Sequence, residues 1–148
     1  MEATMDARAF ERNNDDAFGM LVSLSQLAQH DLVYVATPYS HYPNGLDSAY
    51  EDAAEAAWWL NVAGVNHYSP IIYTHPLAAV WGVDRLDAPF WLSFDGAMMN
   101  ACDALAVIKM DGWDESEGVA LEIAKFADAG KPIYTIDPVT LKVQHESN

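Results

Sequence analysis

The chain alternates short, almost wholly apolar runs with longer stretches in which apolar residues recur every three or four positions. LVYVA (32–36), ALAVIK (104–109) and PIYTI (132–136) are apolar at nearly every position and rich in β-branched residues, which predicts strands buried on both faces. VNHYSPIIY (65–73) reads as another strand, interrupted at Pro70, and LKVQ (141–144) as a fifth at a sheet edge. Residues 46–63 are Ala-rich and helical, with Gly64 as the stop. Residues 75–86 read as a connection with room for a short helix. Residues 88–101 form a helix behind an Asp87 N-cap, with Pro89 in its first turn and a stripe of Trp91, Phe94, Met98 and Ala101. Residues 117–129 form another, burying Val119, Ile123, Phe126 and Ala127 and closed by Gly130. Leu21, Leu24 and Leu27/Ala28 give residues 18–29 one apolar side, and residues 1–17 read as a polar arm.

Strands that alternate with helices imply right-handed crossovers and a parallel sheet. The expected fold is a single α/β domain, Rossmann-like or flavodoxin-like, with four to five mostly parallel strands and helices on both faces. It spans 30–148, preceded by an arm and short helix over 1–29. In such sheets ligands bind beyond the carboxyl ends of the strands, where the strand order reverses. The loops after 32–36 and after 104–109 are therefore the places to look for chemistry.

Composition narrows the ligand. Twenty-two acidic against seven basic side chains give a net charge of −15, which excludes phosphate-driven binding of duplex nucleic acid and attraction to an anionic membrane. A small phosphorylated ligand is still compatible, because backbone N–H groups at a helix N-terminus hold phosphate without cations. No apolar run approaches a membrane span and no basic, then apolar, leader is present, so a soluble cytoplasmic protein is expected. Cys102 is the single cysteine, which leaves no internal disulfide and no cysteine zinc cluster. His67 and His75 lack metal-ligand spacing, and the Trp58–Trp59 pair suits core or dimer contacts.

The segment GWDESEGVALEIAKFADAGKP (112–132) carries the most chemistry. Ser116 stands at an N-cap position and Glu117 at the positive end of the helix dipole. Side chains lean toward the N-terminus of a helix, so Glu122 lies over Gly118, where no Cβ intrudes and a ligand has room. Glycine in that turn costs roughly 0.5–1 kcal/mol against alanine. Spacing alone favours a plainer reading, in which Ser116 is an ordinary cap and Glu122 pairs with Lys125 on a solvated face. Asp95 is a second acidic candidate on the preceding helix. Asp103, just before the third strand, is a helix cap, a loop residue or a substrate contact. Tyr34 is a mid-strand tyrosine whose hydroxyl needs a partner. Trp113 sits in the loop, placed to stack on a base or to pack against the loop itself.

Tyr34 on the first strand, ACDALAVI, Ser116-x-Gly118-x-x-x-Glu122 and the closing GKPIYTI together resemble the nucleoside 2-deoxyribosyltransferase-like superfamily over roughly residues 32–137. Within it the chain looks most like the 2′-deoxynucleoside 5′-phosphate N-hydrolases and a phage and bacterial branch with a GW-x-x-S-x-G-x-x-x-E pattern. The resemblance implies that Glu122 attacks an anomeric carbon, that Asp95 assists protonation of the departing base, and that Tyr34 orients the glutamate. Ser116, where the transferases tend to carry an acid, implies a 5′-phosphate held by its hydroxyl and by the Gly118 N–H. Pro38 replaces a phosphate-binding serine of the hydrolases, with Ser40 as the nearby substitute.

Such chemistry follows retaining glycoside logic, with one carboxylate as nucleophile and a second acidic group assisting departure. It requires no metal and no organic cofactor. The expected partner is a small-molecule nucleotide or nucleoside, in a homodimer or higher homo-oligomer. The base, the sugar, and the choice between hydrolysis, transfer of the sugar to another base, and binding without turnover stay open at this point.

Overall fold

The computed structural model describes residues 14–82 and 88–146. Residues 1–13 of the expected arm and the Asp87 cap lie outside them, whereas residues 14–17 of that arm are helical. Among the described residues, five strands form one sheet. These are β1 (Val33–Ala36), β2 (His67–Tyr68), β3 (Ala104–Ile108), β4 (Ile133–Ile136) and β5 (Val143–Glu146), in the order β2-β1-β3-β4-β5. The first four are parallel, and β5 adds antiparallel to the edge at β4. The helices are α1 (Asn14–Leu24), α2 (Leu46–Val62), α3 (Pro70–Trp81), α4 (Ala88–Ala101) and α5 (Glu117–Asp128). This is the flavodoxin-like α/β architecture, and its strand order reverses between β1 and β3.

Strand alternation divides the core. Val33, Val35, Ala104, Ala106, Ile108, Tyr134 and Ile136 pack on one side with Trp59 and Leu60 of α2 and with Met20 and Leu24 of α1. Tyr34, Ala36, Leu105, Val107 and Ile133 pack on the other with Met99 and Cys102 at the end of α4 and with Val119 and Phe126 of α5. Burial on both faces is why these strands are continuously apolar. Helix α1 belongs to this core, and Ser23 Oγ accepts the Val143 N–H at 2.8 Å, tying it to the edge strand.

The stretch 65–73 departs from expectation. Only His67–Tyr68 pairs with β1, and Pro70 opens a twelve-residue helix instead of interrupting a strand. Proline suits the first helical turn because its missing N–H has no partner there. Apolar residues fall all round α3, so no helical stripe marks it in the sequence. The stripe of α4 is also displaced: Met99 is buried, whereas Phe94 and Ala101 are exposed, and Ala127 of α5 is exposed as well.

Two polar devices fix the elements around the sheet. The Lys131 ammonium donates to the carbonyls of Met99, Asn100 and Cys102 at 3.1, 3.2 and 2.7 Å, closing the C-terminal end of α4. At the opposite end of the sheet from the strand carboxyl ends, Asp103 accepts the Leu32 N–H at 2.8 Å and meets His30 Nδ1 at 3.1 Å. His30 Nε2 lies 2.8 Å from the Tyr134 hydroxyl. No helix among the described residues is long and apolar enough to cross a membrane.

Candidate active site

A cavity of about 330 Å³ opens at the carboxyl ends of β1 and β3, where the strand order reverses. The loop after β1 contributes Thr37, Pro38, Tyr39 and Ser40, and helix α3 contributes Ile71 and Thr74. Trp91 of α4 adds an aromatic wall. Gly112, Glu115, Ser116, Glu117, Gly118 and Glu122 close the side formed by the β3 loop and α5. The size is at the low end for small-molecule sites, and the lining mixes apolar surface with few converging polar groups.

Helix α5 sets the orientation of its residues. Ser116 is extended (φ −78°, ψ 121°), and its hydroxyl accepts the Val119 N–H at 3.2 Å. The first-turn N–H groups of Glu117 and Gly118 have no carbonyl a turn earlier to bond to. A Cβ on Gly118 would meet only Ser116 Oγ, at 3.8 Å, so the protein itself does not require glycine there. Glu122 turns into the cavity, whereas Lys125 lines a separate groove with Gly96 and Lys131. The solvated Glu122–Lys125 pair that spacing favoured does not form.

Beneath the cavity lies a group of coupled acids and phenols. Burial pushes the Glu122 carboxyl up to about 8; the facing Tyr34 hydroxyl pulls it down and the Asp95 charge adds to the rise. Burial also raises Asp95, to about 6, against the hydroxyl of Tyr68. Both phenols are held above the ordinary tyrosine range, first by burial and then by these carboxylates. The Tyr34 and Tyr68 rings lie 5.7 Å apart, side by side on β1 and β2. The Tyr34 and Tyr68 hydroxyls and Asp95 Oδ1 are buried, with these carboxyls and phenols as their polar neighbours. Burial thus favours the protonated form of both carboxyls above their ordinary range, that of Glu122 further than that of Asp95.

The structure thus brings Glu122, Ser116, Gly118 and Ser40 to one cavity and sets Tyr34 and Asp95 under or beside it. It does not bring Trp113 or Asp103 there. Trp113, half-buried, packs against the cluster that contains Val119 and Phe126, with Lys109 Nζ 5.7 Å from its ring centroid. Asp103 is drawn to the amino end of β3 by the Leu32 N–H and His30, as described above.

Several wall residues escaped the sequence reading. Thr37 and Tyr39 follow β1 directly, and their position at a strand's carboxyl end was the available signal. Ile71 and Thr74 were hidden by reading α3 as a strand and a connection. His75 is buried, with Tyr39 Oη 2.6 Å from Nδ1 and Asp47 Oδ1 3.0 Å from Nε2. Among the described residues no three His, Cys, Asp or Glu side chains are grouped to hold a metal ion.

The chain belongs to the family described as a domain of unknown function (DUF1937), whose model matches residues 31–137. No curated protein matches the chain.

Proposed function

We propose that this protein cleaves the N-glycosidic bond of a (deoxy)nucleoside 5′-monophosphate, releasing free base and sugar phosphate, with Glu122 as the nucleophile. The observation that carries this reading is a half-buried glutamate that lines a cavity of about 330 Å³ and is coupled to a second carboxyl and a strand tyrosine. The resemblance of Tyr34, Asp95 and Ser116-x-Gly118-x-x-x-Glu122 to the nucleoside 2-deoxyribosyltransferase-like superfamily assigns the same three groups to glycosyl transfer.

The chemistry follows from the charges. An N-glycosidic bond breaks through an oxocarbenium-like state, and Glu115, Glu117 and Glu122 all border the cavity where that positive charge develops. Glu122 attacks once its proton has left, and Asp95 and Tyr34 govern how readily it leaves. The N-terminus of α5 offers the Gly118 N–H and the Ser116 hydroxyl to a 5′-phosphate.

One observation favours a second reading, a deoxyribosyltransferase acting on unphosphorylated nucleosides. Among the described residues lining the cavity there is no Lys or Arg, and Glu115 and Glu117 flank the proposed phosphate position. A chromatographic assay over matched nucleosides and 5′-monophosphates, with and without a second base, separates the two. Base release from the monophosphate supports hydrolysis, and a new nucleoside supports transfer. Tight binding with no base released supports a nucleotide sensor, and Glu122→Ala with full activity would remove the nucleophile assignment. Exposed Trp58, Val80 and Trp81 support the expectation of a homo-oligomer, which light scattering in solution tests.

A further inference from the structure

Three side chains from three elements form a chain of contacts that ends on the cavity wall. Tyr39 lines the cavity from the loop after β1, and its hydroxyl lies 2.6 Å from His75 Nδ1 on α3. His75 Nε2 lies 3.0 Å from Asp47 Oδ1 in the first turn of α2. The His75 side chain is 7% exposed and that of Asp47 80%, so a dry imidazole links solvent to the wall. Tyr50 stacks on the imidazole at 4.7 Å between centroids and 16° between planes, and Tyr39 meets it edge-on. The ring is thereby held in one orientation by two aromatics and two polar contacts.

The hydrogen-bond roles follow from the acceptor at the far end. A carboxylate only accepts, so His75 Nε2 carries a proton toward Asp47. Nδ1 is then the exchanging position. It accepts from the Tyr39 hydroxyl when the imidazole is neutral and donates to Tyr39 when the ring is charged. At 2.6 Å the proton passes between the two with no heavy atom moving far. Asp95, the acid expected to serve the departing base, is coupled to Glu122 and Tyr68 but is not part of the cavity wall; Tyr39 is.

Resting on the N-glycosidase reading, we propose that Tyr39 is the acid that protonates the departing base, recharged through His75 and Asp47. In the first half-reaction the C1′–N bond breaks and its electron pair stays with the base, while Glu122 forms the C1′–O bond. The Tyr39 hydroxyl gives its proton to the base nitrogen, and the His75 imidazolium returns its Nδ1 proton to the phenolate. In the second half-reaction water attacks C1′ and Glu122 leaves as the carboxylate. The proton released by that water passes through Tyr39 to His75 Nδ1 and restores the imidazolium. The cycle consumes one water and nothing else.

The test compares 2′-deoxyguanosine 5′-monophosphate with its N7-methyl derivative, whose base is already cationic and leaves without a proton. For Tyr39→Phe the ratio of the methylated to the unmethylated rate is expected to rise by about 100-fold over wild type, the usual worth of a general acid. His75→Gln is expected to move the ratio in the same direction, and it carries the test if Tyr39→Phe does not fold. Equal losses on both substrates would overturn the proposal, because they mark Tyr39 as a wall contact only. An unchanged ratio would overturn it too. A wild-type protein that releases base neither from these two substrates nor from the other nucleoside 5′-monophosphates instead overturns the N-glycosidase reading, and the relay's role with it.

Discussion

The Glu122 carboxyl, on the cavity wall, faces the Tyr34 hydroxyl beneath it, one from α5 and the other from β1. The pairing joins the most displaced carboxyl of the site to a fully buried phenol. Its consequence is a pH dependence of definite sign. The nucleophile is the ionised form, so its ionisation is expected to give kcat/KM a limb that rises with pH through a midpoint of about 8, the value of the free protein. Tyr34 pulls that value down; Tyr34→Phe therefore moves the midpoint to higher pH. A pH–rate profile of the two proteins checks this, and a midpoint that stays put or falls contradicts it.

The same carboxyl ties stability to pH. Glu122 is raised from 4.5 to about 8 in the folded chain, so between these values the folded state binds the extra proton and the unfolded state does not. Its contribution is therefore complete below about pH 4.5 and is lost as pH rises through 8. Glu122→Gln cannot ionise and escapes that loss. It is expected to be more stable than wild type at pH 9 by on the order of 3 kcal/mol, with the gap narrowing toward pH 4.5. Urea titrations at the two pH values read the difference directly.

The sequence pattern located the sheet well because parallel strands buried on both faces have to be apolar throughout, and β1, β3 and β4 are. It failed at α3, where apolar residues surround the helix and Pro70 reads equally as a strand break or a helix start. That one error concealed Ile71 and Thr74, and with them one wall of the cavity. Glu122 and Ser116 were legible because a cap and a helical turn fix their relation locally. Asp103 was misplaced because its partners, Leu32 and His30, lie more than seventy residues away in the chain. The Tyr39–His75–Asp47 chain was illegible for the same reason, since only the folded topology brings its three elements together.

Asp103 is expected to behave as a clamp and not as a substrate contact. Asp103→Ala removes the acceptor of the Leu32 N–H and the partner of His30, at a cost of about 1–2 kcal/mol. KM is expected to stay within about twofold of wild type, since the residue stands at the amino end of β3 and the cavity at its carboxyl end. Desolvation is the largest single influence on this carboxyl and raises it; the Leu32 N–H and His30, together with its own backbone N–H, outweigh it and hold its pKa below the usual range. Its contribution is thus present above the ordinary carboxylate range and is lost as pH falls, so the gap between mutant and wild type should close in acid. Thermal melts across pH, run beside a substrate titration, separate the clamp from a binding role.

Gly118 offers the sharpest separation between folding and function. It lies in the first turn of α5, and an added Cβ would meet only Ser116 Oγ at 3.8 Å. Nothing in the protein forbids alanine, and alanine in a helix is favoured over glycine by roughly 0.5–1 kcal/mol. Gly118→Ala is therefore expected to raise the melting temperature by about 1–4 °C. The methyl group, however, projects at a residue that lines the cavity under Glu122, at the N–H assigned to the ligand phosphate. A displacement of about 1 Å at a reacting centre is costly, so kcat/KM is expected to fall by about tenfold or more. Differential scanning calorimetry and the base-release assay on one preparation read both effects. A variant that is more stable and equally active would mean that no ligand approaches α5 at this turn.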